Sequence, residues 1–426
     1  MSQLPRYESY KDSGVQWLGE IPSHWVRTNV KYYYDVQLGK MLQPEAKSVD
    51  DINIKYLKAQ HVQWEKIDSE NMPEMWCSSK ELSKYMVSNG DLLICEGGEV
   101  GRCGILTNLE EPAIIQNALH RVRNTARADV RYLNYFIQHT AQSDWFSILC
   151  NKATIAHFTS EKLLALPTLI PPLGEQKIIA DFLDKRLTQV DALIAKQETL
   201  LEKLAEQRVA LISHAVTKGL NPDVEMKESG VEWLGKVPKS WDIANLRYFI
   251  SCNSGDALES SRILRDADEF NNIPVIGGNG LLGFTENSNY KKECIAVGRV
   301  GALCGNVHFI DYESWINDNA LLIKLISDKF NINYLVYLLR SRNLNELASK
   351  TAQPLLTGTQ VKAEKVCIPL MSEQLEIVRY LDTNLETLDK LLETVNKTIQ
   401  TLREYRSTLI TQVVTGKIDV RNLKLN

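Results

Sequence analysis

The chain has 426 residues, room for about three domains of ordinary size, and its 44% hydrophobic and 24% charged content is that of a soluble globular protein. No stretch approaches the ~20 consecutive apolar residues of a membrane span, and the polar N-terminus MSQLPRYESYKDSG has no signal-peptide core. A net charge of −4, from 49 basic and 53 acidic residues, excludes nucleic-acid binding through bulk positive charge but not through a local basic surface.

Eight cysteines (77, 95, 103, 150, 252, 294, 304 and 367) are scattered without a CxxC pair. That pattern argues against a zinc ribbon or a thioredoxin-type site. Free thiols in a reducing, cytoplasmic setting are expected.

The chain repeats itself. Residues 11–25, KDSGVQWLGEIPSHW, return at 227–241 as KESGVEWLGKVPKSW, with nine of fifteen positions identical, among them Trp17/Trp233, Gly19/Gly235, Pro22/Pro238 and Trp25/Trp241. Shorter matches follow in the same order: GEVG at 98–101 with GRVG at 298–301, Asn117-Ala118-Leu119 with Asn319-Ala320-Leu321, and IPPLGEQ at 170–176 with IPLMSEQ at 368–374. The offset drifts from 216 to 198, so the first unit is 18 residues longer, and 16 of those lie between Trp25 and Gly98. A duplicated frame that holds a divergent stretch points to recognition. Loop drift after duplication is the plain alternative.

Between the repeated motifs, residues 26–169 and 242–367 read as α+β. Short strand-like runs at 91–97, 274–278 and 294–301 alternate with turn residues. Helices are expected near 129–150 and 331–348, where Tyr132-Leu133 and Tyr334-Leu335 correspond. Basic residues group locally at Arg121, Arg123, Arg127 and Arg131, at Arg262 and Arg265, at Lys291 and Lys292, and at Arg340 and Arg342. Taken singly, each group reads as solvated surface. The loops Leu38-Gly39-Lys40 and Ser254-Gly255-Asp256 are of a kind that brings backbone amides near phosphates. Acidic residues slightly outnumber basic ones in both 1–172 and 220–367, so a DNA-facing surface must be segregated from an acidic one.

Each unit closes on one long helix. From residue 175 to 218 apolar residues recur at 4-3-4-3 spacing, in the columns Leu183, Val190, Gln197, Leu204, Leu211 and Leu187, Ile194, Leu201, Arg208, Ala215. The second copy has Leu381, Leu388, Val395, Leu402, Leu409 and Leu385, Leu392, Ile399, Arg406, Val413. Heptads sustained this long indicate a coiled coil, each helix about 60 Å at 1.5 Å per residue. Prolines at 171, 172 and 369 precede the starts, Ser372 is a candidate N-cap and Gly219 a stop. Arg208 and Arg406 share one seam position. Such a charge either fixes register, meets a partner subunit or snorkels outward.

Catalytic patterns are missing. Gly278-Asn279-Gly280-Leu281-Leu282-Gly283 fits GxGxxG, but FTENSNYKKE follows it instead of a helix start, and a glycine-rich β turn is expected. Pro222-Asp223-Val224-Glu225-Met226-Lys227 mimics a PD…ExK nuclease pattern with a spacer too short for two carboxylates to converge on one metal; it reads as a solvated linker. There is no Walker A motif, no [DNS]-P-P-[YFW] motif, and no metal-ligand spacing among the seven histidines. No catalytic or metal site is expected.

The duplicated SGVxWLGxxPxxW element, the xPxxxEQ entry into a long helix, and the glycine turns GGNGLLGF and GRVGALCGNV together resemble the specificity subunit of type I restriction-modification systems, over essentially the whole chain. The resemblance implies an α+β chain of two target-recognition domains (1–172 and 220–367) joined by two long helices (173–219 and 368–426) in an antiparallel coiled coil with a pseudo-twofold repeat. It implies that each domain reads half of a split, asymmetric sequence in double-stranded DNA. The helices would dock two methyltransferase subunits, and motor-nuclease subunits would join. It places no cofactor in this chain and puts S-adenosylmethionine, ATP and Mg on the partners. Expected DNA contacts, by residue type and loop position, are Lys40, Arg102 and Arg123 in the first unit and Arg262, Asn279 and Arg299 in the second. A recognition chain of another DNA-modifying enzyme and a coiled-coil protein-binding scaffold are the competing readings.

Overall fold

The computed structural model describes residues 5–143, 145, 157–349 and 354–423; Cys150 and the end of the helix expected over 129–150 lie outside them. By contact the chain divides into two units, Met1–Gln197 with Lys397–Asn426, and Glu198–Asn396. Each unit therefore takes part of both long helices in addition to its own globular part.

The first unit opens on the hairpin Tyr10–Asp12 and Glu20–Pro22, which is the first repeated element. Ser13 Oγ donates to the Val15 carbonyl at 3.1 Å, and Gly19 turns the chain at φ +60°, a conformation that favours glycine. The strand Val26–Asn29 pairs antiparallel with Pro167–Ile170, so the two ends of the globular part meet. Between them lies an antiparallel four-stranded sheet in the order Cys103–Ile105, Leu92–Cys95, Leu119–Arg123, Asp35–Leu38. A three-stranded sheet, Ala113–Ile115, Asp51–Leu57, Glu74–Ser78, pairs its first two strands parallel and its last two antiparallel.

Strand alternation divides the core. Leu92, Ile94 and Val122 point to one face of the four-stranded sheet, where Val30, Tyr34, Leu133, Ile137, Phe158 and Leu163 cover them. Leu93, Cys95 and Leu119 point to the other face, against Leu57, Ala113 and Ile115 of the three-stranded sheet. Helix α1 (Val130–Gln142) supplies Leu133 and Ile137, and the side chain of Asp129 caps it by accepting from the Arg131 amide at 2.9 Å.

The second unit repeats this plan. Its opening hairpin is Met226–Glu228 with Lys236–Pro238, so the 222–227 segment expected as a solvated linker ends inside a strand. Its four-stranded order is Ile250–Ser254, Ala320–Leu325, Cys294–Gly298, Val307–Ile310. Its three-stranded sheet joins Ile273–Gly277 antiparallel to Gly280–Thr285 and parallel to Trp315–Ile316. Asn279 stands in the tight turn between the first two, so the GxGxxG run is the β turn its sequel indicated.

Two helices run through both units, α2 (Leu173–Lys218) and, after the shorter α3 (Ile332–Ser341), α4 (Met371–Val414). In the first unit Leu183 and Leu187 of α2 share a core with Leu409, Ile410 and Val413 of α4, the antiparallel sense. Every seam position is buried or half-buried, including Val190, Ile194, Leu201, Leu204 and Leu211 on α2 and Leu381, Leu385, Leu388, Leu392, Ile399 and Leu402 on α4, whereas Leu193, Leu200 and Leu391 off the seam are exposed. Gly219, at φ +77°, ends α2 as its place after Lys218 indicated. Ser372 is not the N-cap: α4 starts at Met371, and the Gln374 amide already bonds the Leu370 carbonyl. The helix expected over 331–348 stops at Ser341. Asn343 at φ 50° breaks it, and a 3-10 turn over Leu344–Leu347 follows.

The candidate nucleic-acid interface

The repeated motifs converge below each globular part. The Trp25 indole is buried and donates to Glu175 at 2.9 Å; the Trp241 indole donates to Glu373 at the same distance. The next residue in each copy, Gln176 or Gln374, is fully buried. Gln176 accepts from the Asp129 amide at 2.9 Å and donates to the Pro171 carbonyl at 2.8 Å. Gln374 accepts from the Asn331 amide at 2.8 Å and donates to the carbonyls of Lys329 and Pro369 at 2.8 and 3.0 Å. Asp129 and Asn331 are the N-caps of α1 and α3. The Glu-Gln dipeptide therefore ties the start of a long helix to the opening tryptophan and to the start of the domain's own helix.

A second set of bonds ties the other face of those helices. Tyr132 and Tyr334 donate to the Val414 and Val216 carbonyls at 3.1 and 3.0 Å. Tyr135 and Tyr337 donate to Asp184 and Asp382, both at 2.5 Å. Burial, reinforced by the aspartate, pushes both of these phenols far above their ordinary range. Each globular part is thereby bonded at several points to the helix segments of its own unit.

The expected contact residues fall into two groups. Lys40 pairs with Glu81 at 3.0 Å and is largely covered. Partial burial pulls its pKa down, but the bond to Glu81 and that charge leave it raised. Arg102 donates to the Ala59 carbonyl at 2.9 Å and pairs with Glu99 at 3.3 Å. Arg123 forms a fork with Asp91 at 2.8 and 3.0 Å, and that bond holds its pKa up. Arg299 donates to Ser254 Oγ at 2.9 Å and to the Asp318 carbonyl at 3.2 Å. These four charges are engaged inside their own units. Arg262 and Asn279 stand exposed, Arg262 pairing with Glu286 at 2.6 Å and Asn279 accepting from Asn306 at 3.2 Å.

The group at Arg121, Arg123, Arg127 and Arg131 is not one solvated patch. Arg121 is buried and donates to the Lys84 carbonyl at 3.0 Å. Arg131 is held by Asp129, Asp181 and Asp184 at 2.7–3.2 Å. The partners lie up to 53 residues away in the sequence, which a local reading of charge does not reveal. Gly39 and Gly255 also have a different role from phosphate cradling. A Cβ on Gly39 would stand 2.1 Å from the Gln116 carbonyl oxygen, and one on Gly255 2.4 Å from that of Asn317. These glycines let one strand lie close against another.

One exposed feature was not singled out from the sequence. Tyr32 and Tyr248 end equivalent 3-10 turns, Val30–Tyr32 and Leu246–Tyr248, with Lys31 and Arg247 over their rings at 4.8 and 4.9 Å. Carrying the 216-residue offset onward through Asn29-Val30-Lys31-Tyr32 and Asn245-Leu246-Arg247-Tyr248 is the signal that finds it.

Among the described residues no group of three or more His, Cys, Asp or Glu side chains is arranged to hold a metal, and no helix is long and apolar enough to cross a membrane. The seven described cysteines are buried and unpaired.

A family model described as type I restriction modification DNA specificity domain matches residues 78–204 and 238–401, about two thirds of the chain. The EcoprrI type I restriction enzyme specificity subunit of Escherichia coli is 30% identical over 159 residues, which span 37% of this chain and 37% of that one. The StySPI specificity subunit of Salmonella potsdam is 27% identical over 275 residues, 59% of this chain and 57% of that one. The chain thus spans about a third to somewhat over half of these relatives' lengths. A solved structure described as the basis of complex assembly and conformational transition of the type I R-M system superposes with a TM-score of 0.74 at 13% identity, covering 92% of this chain and 98% of that one.

Proposed function

The chain belongs to the type I restriction modification DNA specificity family, and from that premise we propose that it is the sequence-reading, non-catalytic subunit of a DNA methyltransferase and restriction complex. Its two recognition domains read the two halves of a split, asymmetric target in double-stranded DNA. The observation that carries this reading is the divergence inside a repeated frame. Both units keep the same two sheets and the same Glu-Gln clamp, yet the segment between Trp25 and Gly98 differs by 16 residues from its counterpart. A frame of this kind holds two unlike reading surfaces in one attitude.

In this mechanism side chains on the divergent surface read base edges in a groove, and phosphate contacts set the register. Arg262 and Asn279, both exposed, meet the DNA directly in this reading. Lys40, Arg102, Arg123 and Arg299 act by holding the loops that carry the reading groups. Two methyltransferase subunits dock on the seam helices, bring S-adenosylmethionine and turn the target base, an adenine in this family, out of the stack. Motor-nuclease subunits bring the ATP- and Mg-dependent steps. Cytoplasmic localisation follows from that assembly.

Co-expression with the methyltransferase subunit and genome-wide mapping of methylated bases tests the reading. A split motif with unlike halves is expected. A continuous motif, or no methylation, overturns it.

A further inference from the structure

Tyr32 and Tyr248 are 62% and 59% exposed, yet the turns that carry them are anchored. Val30 and Leu246 beneath them are fully buried. Their amides bond the Leu166 and Glu364 carbonyls at 3.2 and 2.8 Å, and their carbonyls accept from Tyr33 and Phe249 at 3.1 and 2.9 Å. The basic neighbour stacks on the ring, and Arg247 Nη2 also donates to the Tyr248 hydroxyl at 2.8 Å. The fold needs the buried residue of each turn, not the ring held outside it. Two copies that have diverged in their reading segments nonetheless present the same tyrosine and cation at the same place. Such a feature fits a ligand common to both units.

Two ligands meet that condition: the sugar-phosphate backbone, and a protein present in two copies. Position in the fold decides between them. In the first unit the turn packs through Val30 and Tyr34 onto the face of the four-stranded sheet that Leu92, Ile94 and Val122 line. The three-stranded sheet, which contains much of the divergent stretch, covers the opposite face through Leu93, Cys95 and Leu119. A surface that reads bases from the divergent side leaves the tyrosine turned away from the duplex. Tyrosine, and arginine as in the second copy, are also enriched at the centres of protein interfaces; in the first copy the cation on the ring is Lys31, which sets charge beside apolar area in the same way.

We infer that Lys31–Tyr32 and Arg247–Tyr248 form a duplicated docking knob, each taking one copy of the same protein partner through an apolar slot edged by a carboxylate. This rests on the proposed function and deepens it: the partner is the methyltransferase subunit, held at the base of each globular part as well as along the helices.

The test uses the full chain co-expressed with its methyltransferase subunit. The variants Tyr32→Ala, Tyr248→Ala and the pair are weighed by native mass spectrometry and titrated with added subunit. Each single variant is expected to keep its melting temperature and to lose affinity for one copy by about 10- to 30-fold. The pair should lose both copies, and Tyr→Phe should retain most of the affinity. If an alanine variant fails to fold, Lys31→Glu and Arg247→Glu replace it, with the same loss expected. A double variant that binds two copies as tightly as the parent overturns the inference. So does one that keeps both copies but binds duplex DNA more weakly with a shallower salt dependence, which would mark a phosphate contact. A parent chain that binds no methyltransferase subunit overturns the proposed function, and this inference with it.

Discussion

Arg406 Nε donates to the Asp191 carboxylate at 2.9 Å, pairing the two long helices inside the first unit. The repeat places the same pair in the second unit with the helices exchanged, Arg208 against Asp389. Each seam arginine is therefore engaged by an aspartate of the opposite helix within its own unit; a slip of one heptad would bring Arg406 against Asp184 or Glu198, acids again, so these pairs favour helix pairing without selecting one register. Arg406 also reaches Glu65 and is well covered, its side chain 18% exposed, whereas Arg208 is 34% exposed. Arg406→Met should cost about 2 kcal/mol in urea unfolding. Arg208→Met should cost about 0.5–1 kcal/mol, as a partly screened pair does. Equal losses at the two sites would contradict this ranking by coverage.

Gln176 supports a sharper prediction, because its carboxamide both accepts and donates. Gln176→Ala leaves the Asp129 amide and the Pro171 carbonyl without their buried partner, at about 2–4 kcal/mol. Gln176→Glu keeps the shape and the acceptor but sets a carboxylate against the Pro171 carbonyl. Its deficit against the parent protein should be larger at pH 7 than at pH 4, where protonation restores a donor. Thermal melting of both proteins at the two pH values decides. A deficit that is the same at both would show that the donor side of Gln176 contributes little.

These two sites also show what could be read before the structure. The seam and the Glu-Gln entry were legible because helical periodicity and duplication are properties of neighbouring or regularly offset residues. The sheets were only partly legible. Ala113–Ile115 pairs in parallel with Asp51–Leu57 across more than fifty residues, and short strands carry no mark of such a partner. The basic residues were the least legible. Arg123 looks like a free loop cation until Asp91, 32 residues earlier, is found beside it. Charge read along the chain says nothing about which acid the fold brings to it.

His139 predicts an acid-sensitive first unit. Its Nδ1 lies 3.0 Å from the Thr411 hydroxyl, its ring packs near Trp17 and Phe136, and its Nε2 has no partner among the described residues. Burial lowers its pKa to about 4. The folded state thus holds the neutral ring, while the unfolded chain takes up a proton near pH 6.5. Stability from this group is intact above pH 6.5 and falls as the pH drops toward 4, by at most about 3 kcal/mol. His139→Phe should flatten that slope. Urea unfolding at pH 7, 6 and 5 on both proteins measures it, and parallel pH profiles would remove His139 as the cause.

Arg123 and Arg262 separate loop support from direct reading. Asp91 is buried, so Arg123→Ala removes the ion-pair partner of a carboxylate that keeps, among the described residues, only the Ser88 amide at 2.9 Å as a hydrogen-bond donor, and should cost about 2–3 kcal/mol of stability. Any loss of DNA binding would then accompany a lower melting temperature. Arg262 is exposed and its bond to Glu286 lies in solvent, so Arg262→Ala should leave melting unchanged. If Arg262 meets a phosphate, binding weakens across all sequences and the salt slope falls by about 1. If it meets a base, the loss is about 1–3 kcal/mol and is confined to one half of the target. Methylation mapped with each variant separates these outcomes. An Arg262→Ala protein with parental affinity and an unchanged motif would remove this residue from the interface and shift the reading of that half-site to the turn at Asn279.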